Sequence, residues 1–159
     1  MSIAYINIGS NMGNRRALIE QAVAHIELLC NKKAEVSPII ESEPWGFKSD
    51  HPFLNIGIAI ETHIEPTTLL NELLKIEKNI SDASHRDENG NYVDRQIDID
   101  LIAVDQITID TPMLRLPHPH MHKRDFVLTP MMHLNAKWKH PILNKTVTEL
   151  HHMLYEKNN

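Results

Sequence analysis

The chain has 159 residues, of which 42% are hydrophobic and 23% charged, and a formal net charge of −5. These values are typical of a globular protein, and we expect a single domain over residues 1–159. The negative charge argues against bulk nucleic-acid binding, and no apolar run reaches the length of about 18 residues that a membrane span needs. The single cysteine, Cys30, excludes an intrachain disulfide, and together with a start that lacks a basic leader it favours a cytoplasmic protein.

The first part of the chain alternates between predicted strands and helices. A strand over 3–8 is followed by a structural turn at 9–11, which does not have the spacing of a phosphate-binding loop. Apolar residues at helical spacing predict a helix over 14–30, and a second strand follows over 34–41. Residues 42–52 are rich in turn formers and include two aromatic residues, so this segment is predicted to be a loop that can contact a ligand.

The rest of the chain continues the same alternation. In order, we predict a strand over 53–62, a helix over 66–80, a long polar loop over 81–94, a strand over 96–104 with residues 104–109 turning back on it as a hairpin, a short helix over 126–134 and a terminal helix over 147–154.

This βαββαβ order is that of the ferredoxin-like α+β arrangement, in which helices cover one face of an antiparallel sheet. Alternation along the strands places Phe53, Asn55, Asp98 and Asp100 on the opposite face. Such a face is a poor hydrophobic core. We therefore expect it to form the floor of a ligand cleft, covered by the two long loops and by a C-terminal helical extension.

Asp98 and Asp100 point to the same side of their predicted strand, with Cα atoms about 7 Å apart. Two neighbouring carboxylates repel each other unless a cation lies between them. Mg²⁺ suits this arrangement, because it is commonly held by one or two carboxylates together with substrate phosphates. From the pattern alone, a solvated strand face remains an equally good interpretation.

The amide and the aromatic residues also have ordinary interpretations. Phe53 and Phe126 have the pattern of plain core residues, and Asn55 could make a structural hydrogen bond, since a buried amide needs partners. Among eleven histidines, those at 118, 120 and 122 alternate, and 151 and 152 are adjacent. Alternating imidazoles can bind Zn²⁺ or Ni²⁺. However, prolines interrupt this stretch, and no cysteine or acidic ligand is close in sequence. We therefore predict a phosphate contact for His118 and surface positions for the other four histidines.

Three stretches together resemble a known family, the 6-hydroxymethyl-7,8-dihydropterin pyrophosphokinases of folate biosynthesis. The segment YINIGSN at 5–11 is similar to the family's opening strand and G-S-N turn. The segment DRQIDIDL at 94–101 is similar to its R-x-(I/L)-D-(I/L)-D signature. The segment LPHPHMHKRDFVLTP at 116–130 is similar to its P-H-(x)5-R-x-F-(x)3-P stretch. The resemblance covers nearly the whole chain and implies the ferredoxin-like fold.

The resemblance also implies an activity. Enzymes of this family transfer the β,γ-pyrophosphoryl group of ATP to the hydroxymethyl oxygen of the pterin and release AMP. They use two Mg²⁺ ions, which Asp98 and Asp100 would hold here, with Arg95 as a further catalytic residue. We expect ATP and the pterin as small-molecule partners, no nucleic acid, no membrane, and a monomer.

The resemblance further assigns binding residues. The residues that would form the pterin pocket are Ser42, Trp45, Phe53, Asn55, Tyr92 and Phe126. The residues that would contact ATP are Arg86, Arg95, Leu101, His118 and Arg124, of which Arg95, His118 and Arg124 match cations near the triphosphate. Stacking suits a flat heterocycle, and an amide satisfies donor and acceptor edges together.

Some positions depart from the family pattern. The residues ISDASHR at 80–86 replace a G-R-x-R run, Met113 stands where an arginine is common, Pro119 replaces an aromatic residue, and Leu74 replaces a polar one. Each lost phosphate contact removes roughly 1.5–3 kcal/mol. The departures keep open a non-catalytic pterin-binding relative, and shared fold alone keeps open a metal-binding or interaction module.

Overall fold

Residues 1–42, 52–81 and 97–158 are described in this computed structural model, and within them the chain forms an antiparallel sheet and four α-helices. In chain order the elements are β1 (Ser2–Ser10), α1 (Arg15–Cys30), β2 (Glu35–Val36), β3 (Ile40–Ser42), β4 (Phe53–Thr62), α2 (Pro66–Ser81), β5 (Asp98–Val104), β6 (Ile109–Asp110), β7 (Arg115–Leu116), a 3₁₀ turn at Met121–Lys123, α3 (Asp125–Asn135) and α4 (Val147–Asn158). The prediction of a mixed α/β protein with an antiparallel sheet is confirmed. None of the helices in these ranges has the length and apolar composition of a membrane span.

The main sheet has the order β2-β4-β1-β5, and β3 also pairs with β4. Strand β1 is central and antiparallel to both β4 and β5. One face of each long strand carries aliphatic residues, and these pack with the apolar sides of α1 and α2. This layer is the larger core, and it includes Ile8, Ile58, Leu73 and Ile99, each no more than 4% exposed.

Local signals explain where the two core helices begin and end. The Asn14 side chain accepts a hydrogen bond from the backbone N–H of Ala17, and Asn31 ends α1 in a left-handed conformation. At α2, the Glu65 carboxylate accepts hydrogen bonds from the backbone N–H groups of Thr67 and Thr68. These hydrogen bonds lower the pKa of Glu65.

Helices α3 and α4 pack on the opposite face of the sheet, around a second core that includes Tyr5, Ala103, Val127 and Trp138. Close packing there depends on Gly57, since a Cβ at this position would lie 2.9 Å from the Cβ of Pro130. The C-terminal extension therefore covers one half of this face. The other half, where β4 and β5 begin, carries the predicted site residues.

Two predicted elements differ from the structure. The strand expected over 34–41 is split into β2 and β3, because Pro38 has no N–H to donate and the Ser37 hydroxyl accepts the N–H of Gly57 instead. The hairpin expected to fold back on 96–104 is wrong: β6 pairs with β7, and the chain leaves β5 at Asp105, whose φ is positive. Most of each predicted long loop, over 42–52 and over 81–94, lies outside the described residues.

Candidate active site

A cleft of about 400 Å³ runs along the edge strand β5. It is bounded by α2, by the first half of β5, and by the turn between β6 and β7. The residues lining it are Leu70, Leu74, Glu77, Asp98, Ile99, Asp100, Leu101, Thr111, Pro112, Met113, Leu114, Arg115, His118 and Pro119. Three of the residues predicted to contact ATP or metal on this strand, Asp98, Asp100 and Leu101, are therefore in one cleft with His118.

Asp98 and Asp100 are half-buried, whereas Ile97, Ile99 and Leu101 between and beside them are buried in the core. The predicted alternation of this strand is confirmed. The strand is fixed to α2 by a hydrogen bond of 2.8 Å from the N–H of Ile99 to the Glu77 carboxylate. Because both acids lie on the outward side of an edge strand, a ligand in the cleft can reach them.

The donor set at these acids fits Mg²⁺. Across the described ranges there is no group of three or more His, Cys, Asp or Glu side chains arranged to hold a metal ion. At a pair such as Asp98 and Asp100, water and substrate oxygens can complete the coordination of the ion. Mg²⁺ is commonly bound in this way, with one or two carboxylates plus phosphates.

The sheet register extends this site across β1 to β4. Gly9 of β1 is paired with Asp98 on one side and with Asn55 on the other. The next row on this face contains Asp100, Asn7 and Gly57. Acid and amide thus lie in the same cross-strand row, with a glycine between them. The turn expected at 9–11 is displaced, because β1 continues to Ser10 and Gly9 belongs to the sheet.

Asn55 is 3% exposed, and its Nδ2 donates a hydrogen bond of 2.6 Å to the Ser42 hydroxyl on β3. Phe53, two residues earlier on the same face, is half-buried. Ser42, Phe53 and Asn55, three of the predicted pterin-pocket residues, are thereby brought together at one end of β4. The carboxamide oxygen of Asn55 is placed over Gly9, where no side chain competes for the space.

Phe126 approaches the same face from the start of α3. Its backbone carbonyl accepts a hydrogen bond of 2.8 Å from Nδ2 of Asn7, a residue 4% exposed. Its ring lies 5.5 Å from the guanidinium carbon of Arg124, within cation–π range. Asn7 therefore connects the central strand to the segment that carries two predicted site residues.

His118 is neutral near pH 7. Burial, together with the nearby charges of Arg124 and His120, lowers the pKa of His118 from 6.5 to about 4. Its Nδ1 accepts a hydrogen bond of 3.1 Å from the backbone N–H of His120, so the proton of the neutral ring is assigned to Nε2. His118 is thus a neutral N–H donor, whereas the family resemblance groups it with the cations near the triphosphate.

Two histidines of α4 contact other side chains. His151 contacts the Thr129 hydroxyl at 3.1 Å, and His152 pairs with Glu156 at 3.0 Å on the surface. Four predicted site residues lie outside the described residues: Trp45, Arg86, Tyr92 and Arg95.

Sequence reasoning assigned no ligand-related role to Asn7, Gly9 or Arg115. A signal existed for the first two, because an amide and a glycine inside an apolar strand indicate a hydrogen bond and a close approach. Arg115 could be placed only once the β6–β7 pairing was known.

The fold and the cleft define an α/β ligand-binding protein with a carboxylate pair suited to phosphate chemistry. The sequence profile of the 7,8-dihydro-6-hydroxymethylpterin-pyrophosphokinase (HPPK) family matches residues 5–136. The chain belongs to this family.

Relatives of similar length support this membership. The chain is 37% identical over 142 residues to a 2-amino-4-hydroxy-6-hydroxymethyldihydropteridine pyrophosphokinase of Porphyromonas gingivalis, covering 89% of this chain and 95% of the relative. It is 33% identical over 149 residues to the protein of the same name from Aquifex aeolicus, covering 94% and 90% respectively.

Solved structures support the fold. The Plasmodium falciparum HPPK-DHPS wild-type crystal structure aligns with a TM-score of 0.75 at 14% identity, over 98% of this chain and 45% of that one. A structure described as HPPK-DHPS in complex with substrates aligns with a TM-score of 0.76 at 13% identity, over 99% and 43%. This chain thus spans less than half the length of those solved chains.

Family membership confirms the predictions of an enzyme and of a pyrophosphokinase function in folate biosynthesis, with ATP as the cosubstrate of the family. The comparisons give no support to the alternative of a non-catalytic pterin-binding relative.

Proposed function

We propose that this chain transfers the β,γ-pyrophosphoryl group of ATP to the hydroxymethyl oxygen of 6-hydroxymethyl-7,8-dihydropterin, giving AMP and the pterin diphosphate. One observation carries the proposal: Asp98, Gly9 and Asn55 form a single row across three strands. This row supports a pterin that is hydrogen-bonded by Asn55 at one end and a phosphate group that is held near Asp98 at the other. The distance between the two ends is that of two neighbouring strand spacings, about 10 Å.

The pterin would bind over the start of β4. Asn55 can present its carbonyl oxygen to the heterocycle, since its amide nitrogen already donates to Ser42. Phe53 and Phe126 would supply apolar and stacking contacts, with Tyr92 as the second stacking ring and Trp45 as part of the wall. The hydrogen bond from Asn7 to the carbonyl of Phe126 supports a fixed position for that ring.

ATP would bind in the cleft along β5. Asp98 and Asp100 would hold two Mg²⁺ ions, which when bound neutralise phosphate charge and orient the reacting oxygens. Arg86, Arg95 and Arg124 would contact the triphosphate, and the Nε2–H of His118 would donate to a phosphate oxygen. Leu101 would form part of the wall. These residues position the donor and acceptor, which is the main protein contribution to this type of transfer.

We also propose the sheet topology, the domain organisation, the oligomeric state and the cellular location of the chain. The strand order β2-β4-β1-β5 with α1 and α2 on one face supports a ferredoxin-like topology. Packing of both cores against one sheet supports a single domain over 1–159, and we propose that it acts as a monomer. The single cysteine supports a cytoplasmic location. Its partners would be the two small substrates, without nucleic acid or membrane.

The test is product analysis with purified protein, ATP, Mg²⁺ and the pterin alcohol. The proposal predicts AMP and pterin diphosphate in equal amounts, no AMP without the pterin, and loss of both products when Mg²⁺ is chelated. Formation of ADP with a pterin monophosphate would contradict it, because that result means single phosphoryl transfer. Absence of any pterin-dependent nucleotide turnover would contradict it as well.

A further inference from the structure

The cleft along β5 has an unusual charge balance for a site that binds a polyphosphate. Three carboxylates line it, those of Glu77, Asp98 and Asp100. His118 adds no charge near pH 7 because of its lowered pKa. Among the described residues that line the cleft, Arg115 is the only lysine or arginine. Met113, two residues earlier on the same rim, is apolar and 67% exposed.

Arg115 follows a turn that is closed by three hydrogen bonds. The Thr111 hydroxyl donates to the carbonyl of Leu114 and accepts its N–H, both at 3.0 Å, and the N–H of Thr111 also donates to that carbonyl. Leu114 and Leu116 are anchored in the larger core, at 6% and 1% exposure. Alternation along β7 then directs the Arg115 side chain away from the core, toward the rim of the cleft.

The ion pair that Arg115 makes in this structure is weak. Its Nε lies 3.3 Å from Oδ1 of Asp110, the residue opposite it in the β6–β7 ladder. The two side chains are 65% and 88% exposed, so solvent screens the attraction, and such pairs contribute at most about 1 kcal/mol. A bidentate contact between a guanidinium and a phosphate is stronger, because two charge-assisted hydrogen bonds form together. Nucleotide binding can therefore draw Arg115 away from Asp110.

We propose that Arg115 binds the polyphosphate of the nucleotide and that Asp110 holds the guanidinium at the rim until the nucleotide arrives. This inference rests on the proposed function, since it assumes that the cleft is the nucleotide site. Arg115 would be a further nucleotide-binding residue, and the Asp110 carboxylate would compete with the nucleotide for it. The positive charge that an arginine at 113 would provide is supplied from position 115, which lines the same cleft.

Isothermal titration calorimetry with Mg²⁺ and α,β-methylene-ATP, which cannot transfer its pyrophosphoryl group, tests the inference by binding alone. Arg115→Ala should weaken nucleotide affinity by about 10- to 100-fold, and Arg115→Lys should recover part of the loss. Asp110→Asn should leave affinity unchanged or tighten it by up to about fivefold. Arg16→Ala, which removes an exposed arginine from α1, is the charge-matched control and should change nothing.

A rescue experiment separates a charge effect from a structural one. In the double variant Met113→Arg/Arg115→Ala, a guanidinium returns to the same rim, and nucleotide affinity should recover at least tenfold relative to Arg115→Ala. A structural role of Arg115 predicts no recovery. Pterin affinity should stay at the wild-type value in all of these variants, because the cleft and the pterin-pocket residues are on different sides of β1.

The outcomes for this inference and for the proposed function are distinct. Unchanged nucleotide affinity in Arg115→Ala, or a large loss in Asp110→Asn, would overturn the inference even if the wild-type protein forms AMP. Arg115-dependent nucleotide binding without AMP formation would uphold the inference and contradict the proposed function. A wild-type protein that binds no nucleotide would overturn both.

Discussion

Asn55 lies against the backbone of Gly9 in the neighbouring strand, and its position requires that residue 9 has no side chain. A Cβ at residue 9 would come within 2.6 Å of Oδ1 of Asn55 and 3.3 Å of Cδ1 of Phe53. The nearest atoms belong to side chains, so the strand itself can tolerate a methyl group if they move. The glycine thus determines where the amide of the proposed pterin pocket points.

Gly9→Ala should therefore impair pterin binding more than folding. We expect pterin affinity to fall by about tenfold or more, which corresponds to the loss of one or two good hydrogen bonds, while nucleotide affinity changes little. Equilibrium titration with each substrate measures the two effects. Gly13→Ala is the control, because its positive φ makes an alanine strained without placing a methyl group near Asn55. Wild-type pterin affinity in Gly9→Ala would show that Asn55 does not bind the pterin in this position.

Asn7 should matter for the pterin pocket through its hydrogen bond to the carbonyl of Phe126. Asn7→Ala leaves that partly buried carbonyl without the Asn7 donor, and we expect it to lower the free energy of unfolding by about 1–3 kcal/mol and to weaken pterin binding. Urea denaturation and pterin titration give the two values.

Asn135→Ala provides the matched control for Asn7→Ala. It removes a hydrogen bond of 3.0 Å between the same strand and the other end of the same helix, from Nδ2 of Asn135 to the hydroxyl of Tyr5. This variant should lose stability and keep its pterin affinity. Equal pterin affinities in the two variants would mean that Asn7 acts only on stability.

His118 should titrate near pH 4 in the ligand-free protein, since its pKa is lowered from 6.5 to about 4. The unfolded chain then binds a proton at this residue more readily than the folded chain. The stability associated with a neutral His118 is complete above pH 6.5 and is lost as the pH falls toward 4. A histidine ¹H–¹³C NMR titration should give this ring a midpoint pKa near 4, and a midpoint near 6.5 would contradict the buried, neutral assignment.

The same residue gives a difference measurement by denaturation. His118→Gln removes the titrating ring, whereas His122 and His140, whose pKa values burial also lowers, remain in both proteins. As the pH is lowered from 7 to 4.5, the free energy of unfolding should fall more for the wild type than for His118→Gln. A difference that is constant over this range would show that protonation of His118 is not linked to unfolding.

The sequence predicted the elements whose patterns are strong and local. The alternation in 53–62 and the helical spacing after Pro66 correspond closely to β4 and α2. Alternation along the strand at 96–104 likewise predicted that Asp98 and Asp100 point away from the core. The hairpin prediction failed because pattern alone does not determine which strand a short segment pairs with. Residues 109–110 find their partner in β7 instead of β5.

The candidate site has the same division between what a local pattern predicts and what strand pairing decides. Asn55 and Asp98 could each be placed on the open face by alternation, but the row that joins them depends on the register of β1 against both neighbours. The roles of Gly9 and Asn7 follow only from that register. The neutral state of His118 depends on burial and on Arg124, neither of which a sequence pattern contains.

We propose above all that Asp98 and Asp100 hold Mg²⁺ for pyrophosphoryl transfer to the pterin. The most direct test is the rate of AMP formation from ATP and the pterin alcohol by Asp98→Asn/Asp100→Asn at saturating Mg²⁺. Glu20→Gln/Glu156→Gln, which removes two exposed carboxylates from helices, is the control. We predict a rate lower by about 10²–10³-fold or more in the aspartate variant, with pterin affinity retained and the control unchanged. AMP formation near the wild-type rate in the aspartate variant would contradict the account.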